Sequence, residues 1–181
     1  MKTVLYSGGK PYIDDPRCAR TGELLELLRK KGWRIATAES CTGGLVAKRL
    51  TDVPGCSDVY PGGVVSYANE VKEALLAVPH EVLEAHGAVS PQVAEAMAAG
   101  VCRAIGAEVG VATTGIAGPG GGSAAKPVGL VYVGICIDGE IEVIRLNINR
   151  NFSREQVRNA AAGFALEETR VLLEEKFRRL S

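Results

Sequence analysis

The sequence predicts an α/β protein in which one mixed, mostly parallel sheet is covered by helices on both faces. Three observations carry this. Short apolar runs alternate with segments of helical apolar spacing from residue 21 onward, a pattern that calls for crossover connections between parallel strands. The last two apolar runs flank Asp138-Gly139, a strong two-residue hairpin signal that makes the final pairing antiparallel. The 181 residues are 46% hydrophobic with only 5% aromatic, which suits one soluble domain with a sizeable core.

The elements follow in order. Residues 1–20 carry scattered Gly, Pro and Asp and read as a loose extension ahead of a domain spanning 21–181. "TGELLELLRKKG" (21–32) is a helix with basic residues in its last turn and a closing glycine. "WRIATAE" is a buried strand, and "GGLVAKRL" begins the next helix, which ends before Pro54-Gly55. "GGVVSYA" (62–68) is strand-like, and Asn69 is placed to cap "EVKEALLA". "PHEVLEAHG" is a short helix with proline at its start. Ser90-Pro91 opens a longer helix through about Ile105. "EVGVATTG" is a strand, followed by the glycine-rich loop "IAGPGGGSAAKP". "VGLVYVGICI" and "EIEVIRLNI" form the hairpin, and Ser153 with Gln156 forms a capping box for a final helix.

Acidic and basic residues balance at 21 each, so no overall field favours nucleic acid or an anionic membrane. No apolar run approaches the roughly 20 residues that span a bilayer, and the start is too short in apolar residues for a signal peptide. The expectation is a cytoplasmic protein acting on a small molecule. Five cysteines at 18, 41, 56, 102 and 136 lack any C-x-x-C spacing, and two histidines, His80 and His86, point to different faces. Neither set suggests a metal site or a disulfide framework, so no metal or other cofactor is expected.

Chemistry concentrates in three places. In "ATAESCTGG" a strand ends at Glu39 and a helix begins near Gly43, which puts Ser40 in the turn. Backbone N–H groups of Cys41, Thr42 and Gly43 are then available to an anion or an acyl-transfer oxyanion. Gly44 allows a ligand close to the backbone. Simple capping by Ser40 or Thr42 explains the same residues. The flanking Ala38 and Thr42 exclude a G-x-S-x-G elbow.

In "SYANEVK", Tyr67 ends a strand and Lys72 lies near the start of a helix, where the helix dipole and burial both destabilise an ammonium. Such a lysine can take a proton from a serine; a solvated lysine paired with a glutamate is the alternative. "GIAGPGGGSAAKPVG" (115–129) fits neither a P-loop nor a dinucleotide fingerprint, because Lys126 precedes Pro127 and no helix follows. It reads as a loop at a strand end, where open α/β sheets bind ligands. Arg154 and Arg158, four apart in the first turns of the last helix, share a face that a substrate phosphate or Glu155 would complete.

Taken together, "AESCTGG", "SYANEVK", "HGAVS", "GIAGPGGGSAAKPVG" and "SREQVR" resemble, in order and spacing, the CinA C-terminal domain over about residues 21–178. The family includes nicotinamide-nucleotide amidases. The resemblance implies a three-layer α/β/α fold, often dimeric, and metal-independent hydrolysis of nicotinamide mononucleotide to nicotinic acid mononucleotide and ammonia. It implies Ser40 as nucleophile with Tyr67, Lys72 and Arg154 as catalytic partners, and the turn read above then supplies Cys41, Thr42 and Gly43 as oxyanion donors. Gly44, Gly115, Gly118, Gly120, Lys126 and Arg158 are expected around the substrate. A non-catalytic pyridine-nucleotide-binding module is the alternative. Cys41 is the rival nucleophile, since a thiol at a helix N-terminus would be lowered in pKa and reactive.

Overall fold

A computed structural model describes residues 1–6 and 20–179. The strands are β1 (Lys2–Tyr6), β2 (Ile35–Glu39), β3 (Gly62–Val65), β4 (Val109–Gly115), β5 (Leu130–Ile137) and β6 (Glu140–Ile148). The helices are α1 (Thr21–Lys31), α2 (Leu45–Thr51), α3 (Asn69–Leu76), α4 (His80–His86), α5 (Pro91–Ile105) and α6 (Arg154–Arg179). The six strands form one sheet in the order β1-β6-β5-β4-β2-β3. β2 runs parallel to both β3 and β4, and β1 runs parallel to β6. β5 is antiparallel to β4 and β6, so the sheet is mixed as the hairpin signal required. Asp138 and Gly139 both take positive φ (53° and 82°), the backbone that a two-residue turn between twisted strands needs.

Alternation along the strands sorts two cores. Ile35, Val109, Val111 and Val133 point towards α1, α2 and α6. Ala36, Ala38, Ala112 and Cys136 point towards α3, α4 and α5. Small residues dominate that second face because α5 lies close on the sheet: a Cβ on Gly134 would stand 2.3 Å from the Ala94 carbonyl oxygen. The result is three layers, helices over sheet over helices.

Local signals set most of the helix ends. Gly32 closes α1 in a left-handed conformation, and the Ser90 hydroxyl accepts from Val93 N–H at the start of α5, with Pro91 at the first helical position. The capping box at α6 is formed in both directions, Ser153 N–H to Gln156 Oε1 at 2.8 Å and Gln156 N–H to Ser153 Oγ at 3.2 Å.

Two expectations are corrected here. The first residues are not a loose extension throughout: Lys2–Tyr6 add an edge strand to the sheet, in register with Ile144–Ile148. Tyr6 is buried there while Leu5 faces out, and Lys2 pairs with Glu168. The sheet therefore begins at Lys2, ahead of the expected boundary at residue 21. Cys18 and the remainder of that segment, residues 7–19, lie outside the described residues. Asn69 does not cap α3. Ala68 occupies the cap with extended backbone, and Asn69 is already the first helical residue, without a side-chain capping bond.

Candidate active site

The parallel strands β2, β3 and β4 all deliver their carboxyl ends to one side of the sheet. β2 is the reversal point. The chain leaves it over α2 to reach β3 on one side, then returns over α3, α4 and α5 to β4 on the other. Such reversals open a crevice beyond the strand ends. A cleft of about 200 Å³ lies there, lined by Ser40, Cys41, Tyr67, Lys72, Ala88, Val89, Thr114, Gly115, Ala117 and Arg154. The four residues expected to do chemistry, spread over more than 110 positions of sequence, thus meet in one place.

The turn at Ser40 is held by groups that the sequence reading did not single out. Glu39 ends β2 on the α2 side and is 1% exposed. Its carboxylate accepts from Thr42 Oγ1 at 2.6 Å and from the backbone N–H groups of Gly44 (2.9 Å), Val46 (3.0 Å) and Ala47 (2.7 Å). The anion at the start of α2 is therefore the protein's own carboxylate. Thr42 Oγ1 also meets Thr113 Oγ1 at 2.7 Å, and Ser40 N–H donates to the Thr113 carbonyl at 2.9 Å, which ties the turn to β4.

These bonds revise the expected anion site. Gly43 N–H is directed at the Ser40 carbonyl at 3.2 Å, so it is not an open donor, and Gly44 N–H is committed to Glu39. The N–H groups of Cys41 and Thr42 remain as candidates for an oxyanion. Neither Ser40 nor Thr42 acts as the N-cap of α2; Gly44 stands there in a left-handed conformation at φ 97°.

Lys72 is fully buried. Its Nζ donates to the Ser66 carbonyl at 2.7 Å and to the Tyr67 carbonyl at 3.2 Å, so it is held by neutral acceptors rather than by a carboxylate. Burial lowers its pKa from the usual lysine value, because removing an ammonium from water disfavours the charged form. Cys41, by contrast, is buried and has its thiol pushed up to about 12, chiefly by desolvation. The expectation of a lowered thiol pKa at this turn is reversed, first by burial and then by the negative charge of Glu39.

The arginines part company. Arg154 reaches over the cleft, donating to Tyr67 Oη at 2.9 Å and to the Gly118 carbonyl at 2.9 Å, so it clamps the tyrosine and the glycine-rich loop. Arg158 turns away to the Ser40 turn, with Nε on the Cys41 carbonyl at 3.2 Å and a terminal nitrogen on the Thr42 carbonyl at 2.6 Å. Lys126 is likewise engaged elsewhere, on the His86 carbonyl at 2.6 Å. Gly115 lines the cleft; Gly44 and Gly120 do not. Thr114, at the end of β4, lines it too and donates to the Ala88 carbonyl at 2.7 Å.

A second depression of about 280 Å³ lies between the β5–β6 hairpin and the end of α6. Isoleucines and ion-paired Lys176 and Glu140 line it, with no hydroxyl or thiol side chain. Among the described residues no group of three or more His, Cys, Asp or Glu could hold a metal ion, and no helix is long and apolar enough to cross a membrane.

Comparison with known proteins gives the family and the fold. Residues 19–173 match the family model of the CinA C-terminal domain. A competence-damage inducible protein of Clostridium acetobutylicum is 48% identical over 170 residues, 93% of this chain and 40% of that protein. One from Caldanaerobacter subterraneus is 49% identical over 151 residues, 83% of this chain and 36% of its own length. The chain therefore spans well under half the length of these relatives. Among solved structures, a CinA superfamily protein from Klebsiella pneumoniae superposes with a TM-score of 0.84 at 33% identity, covering 89% of this chain and 99% of that one. The competence/damage inducible protein CihA of Agrobacterium tumefaciens gives 0.83 at 38% identity, with 88% and 96% covered. The chain belongs to the CinA C-terminal domain family.

Proposed function

We propose that this chain hydrolyses the carboxamide of nicotinamide mononucleotide, releasing ammonia and nicotinic acid mononucleotide through an acyl-enzyme on Ser40. The observation that carries the reading is Lys72, a buried amine opening on the same cleft as Ser40 and bonded only to carbonyl oxygens. A neutral amine has two N–H bonds and one lone pair. With both N–H bonds given to the Ser66 and Tyr67 carbonyls, the lone pair remains as the acceptor a serine nucleophile needs.

In the proposed sequence Ser40 Oγ bonds to the carboxamide carbon while its proton passes to Lys72 Nζ, directly or through Tyr67. The oxyanion so formed is met by the N–H groups of Cys41 and Thr42, each such donor contributing about 3–4 kcal/mol in comparable sites. The C–N bond then breaks and Lys72 returns the proton to the departing nitrogen, giving ammonia. Water attacks the acyl carbon by the same route in reverse and restores Ser40. Arg154 holds Tyr67 and the glycine-rich loop over the cleft, and its guanidinium, at the cleft wall, is the cation assigned to the nucleotide phosphate.

Ammonia release from nicotinamide mononucleotide, measured with and without a chelator, tests the proposal. It predicts turnover unaffected by chelation and much slower turnover of nicotinamide riboside, which lacks the phosphate. Binding of the mononucleotide by calorimetry without any ammonia release would instead identify a non-catalytic nucleotide-binding module.

A further inference from the structure

The two arginines at the start of α6 lie on one helical face, yet only Arg154 lines the cleft. Arg158 is half-buried and spends both ends of its fork on successive carbonyl oxygens, those of Cys41 and Thr42. In a trans peptide the C=O and the following N–H point in opposite directions. Drawing the Cys41 carbonyl onto the guanidinium therefore turns Thr42 N–H away from it. Drawing in the Thr42 carbonyl does the same to Gly43 N–H, and that group is indeed found on the other side, at the Ser40 carbonyl. The positive φ of Gly43, 58°, lets the turn take this shape, and a Cβ there would stand 3.1 Å from the guanidinium.

We infer that Arg158 is a positioning residue for acyl transfer: by holding the Cys41 carbonyl it fixes and polarises Thr42 N–H, one of the two donors that receive the oxyanion next to Ser40, and by holding the Thr42 carbonyl it keeps Gly43 N–H on the Ser40 carbonyl, whose peptide carries the other donor, Cys41 N–H. This deepens the amidase reading and rests on it. A charge-assisted bond to a carbonyl oxygen withdraws electron density through the peptide, so the N–H at its other end becomes a stronger donor. The fixed positive charge thus lies behind the turn, where it favours negative charge developing in front. Lysine offers the charge but not the fork, so it cannot hold both carbonyls in one geometry.

The test compares Arg158→Met and Arg158→Lys with the wild-type chain on two substrates. One is nicotinamide mononucleotide. The other is p-nitrophenyl acetate, which carries no phosphate and acylates Ser40 directly, with the Ser40→Ala rate subtracted as background. The inference predicts that Arg158→Met slows Ser40 acylation by about 100-fold, the usual effect of losing an oxyanion donor. It predicts the same loss in kcat for deamidation, per folded molecule, with KM little changed, and partial recovery in Arg158→Lys. Acylation at the wild-type rate with a raised KM for the nucleotide would overturn it, making Arg158 a phosphate ligand while deamidation stands. A loss of activity that follows only the unfolded fraction, with Arg158→Lys folded and fully active, would overturn it as well. If the wild-type chain takes the ester but not the nucleotide, the substrate reading fails and the ester series still decides Arg158.

Discussion

Lys72 is costly to the fold as a buried amine, and the proposed hydrolysis turns that cost to use. Its lowered pKa has a definite consequence for pH. A protonated lysine cannot take a proton from Ser40, and the neutral fraction grows as pH rises, so deamidation should increase with pH through an apparent pKa below the ordinary lysine value of 10.5. The charge on Cys41 that would oppose this shift does not arise at neutral pH, because that thiol titrates near 12. Lys72→Arg should be inactive across the whole range, since a guanidinium does not lose its proton in proteins. A rate that is flat from pH 6 to pH 10 in the wild-type chain would contradict the role given to Lys72. The sequence revealed Lys72 through its place near a helix start after a strand. Spacing alone could not separate Arg154 from Arg158, because a separation of four fixes a shared face and says nothing of where two long side chains end.

Elements are where sequence reading served best and also where it missed most. The Asp138-Gly139 hairpin, the Gly32 and Ser90 helix ends and the Ser153–Gln156 box all form as read, because each depends on neighbours within four residues. Glu39 was invisible by the same logic. A carboxylate at the end of a strand looks solvated until the fold lays α2 over it, with its N–H groups converging on two oxygens. The consequence is testable at α2. Glu39→Ala leaves three N–H groups without their acceptor inside the protein, each worth about 1–3 kcal/mol when unsatisfied. The variant should lose at least about 3 kcal/mol in urea unfolding and lose activity with it, as the Ser40 turn loosens. Unfolding at the wild-type midpoint would show that the carboxylate does not hold α2.

Across the molecule, the cleft and the first strand stand at opposite sides of the sheet. Three strands, β6, β5 and β4, separate β1 from β2. Five residues with only one fully inward apolar side chain give too short a period to announce a strand, which is why β1 was not legible before its partner β6 was in place. Removing residues 1–6 takes away the burial of Tyr6, worth about 2 kcal/mol, and bares the β6 edge. For a chain of this size that lowers the melting midpoint by about 4–8 °C. Deamidation by the folded fraction should persist, since none of the deleted residues lines the cleft. Loss of activity in a truncated chain that remains folded would instead couple that far edge to the site.

The central claim is that the hydroxyl of Ser40, and not its neighbouring thiol, attacks the amide. Ammonia release by Ser40→Ala and Cys41→Ala, assayed side by side on nicotinamide mononucleotide, tests it most directly. The account predicts a loss of roughly 10⁶-fold in the first variant and a rate close to wild type in the second. Retained turnover in Ser40→Ala, or its abolition in a folded Cys41→Ala, would contradict it.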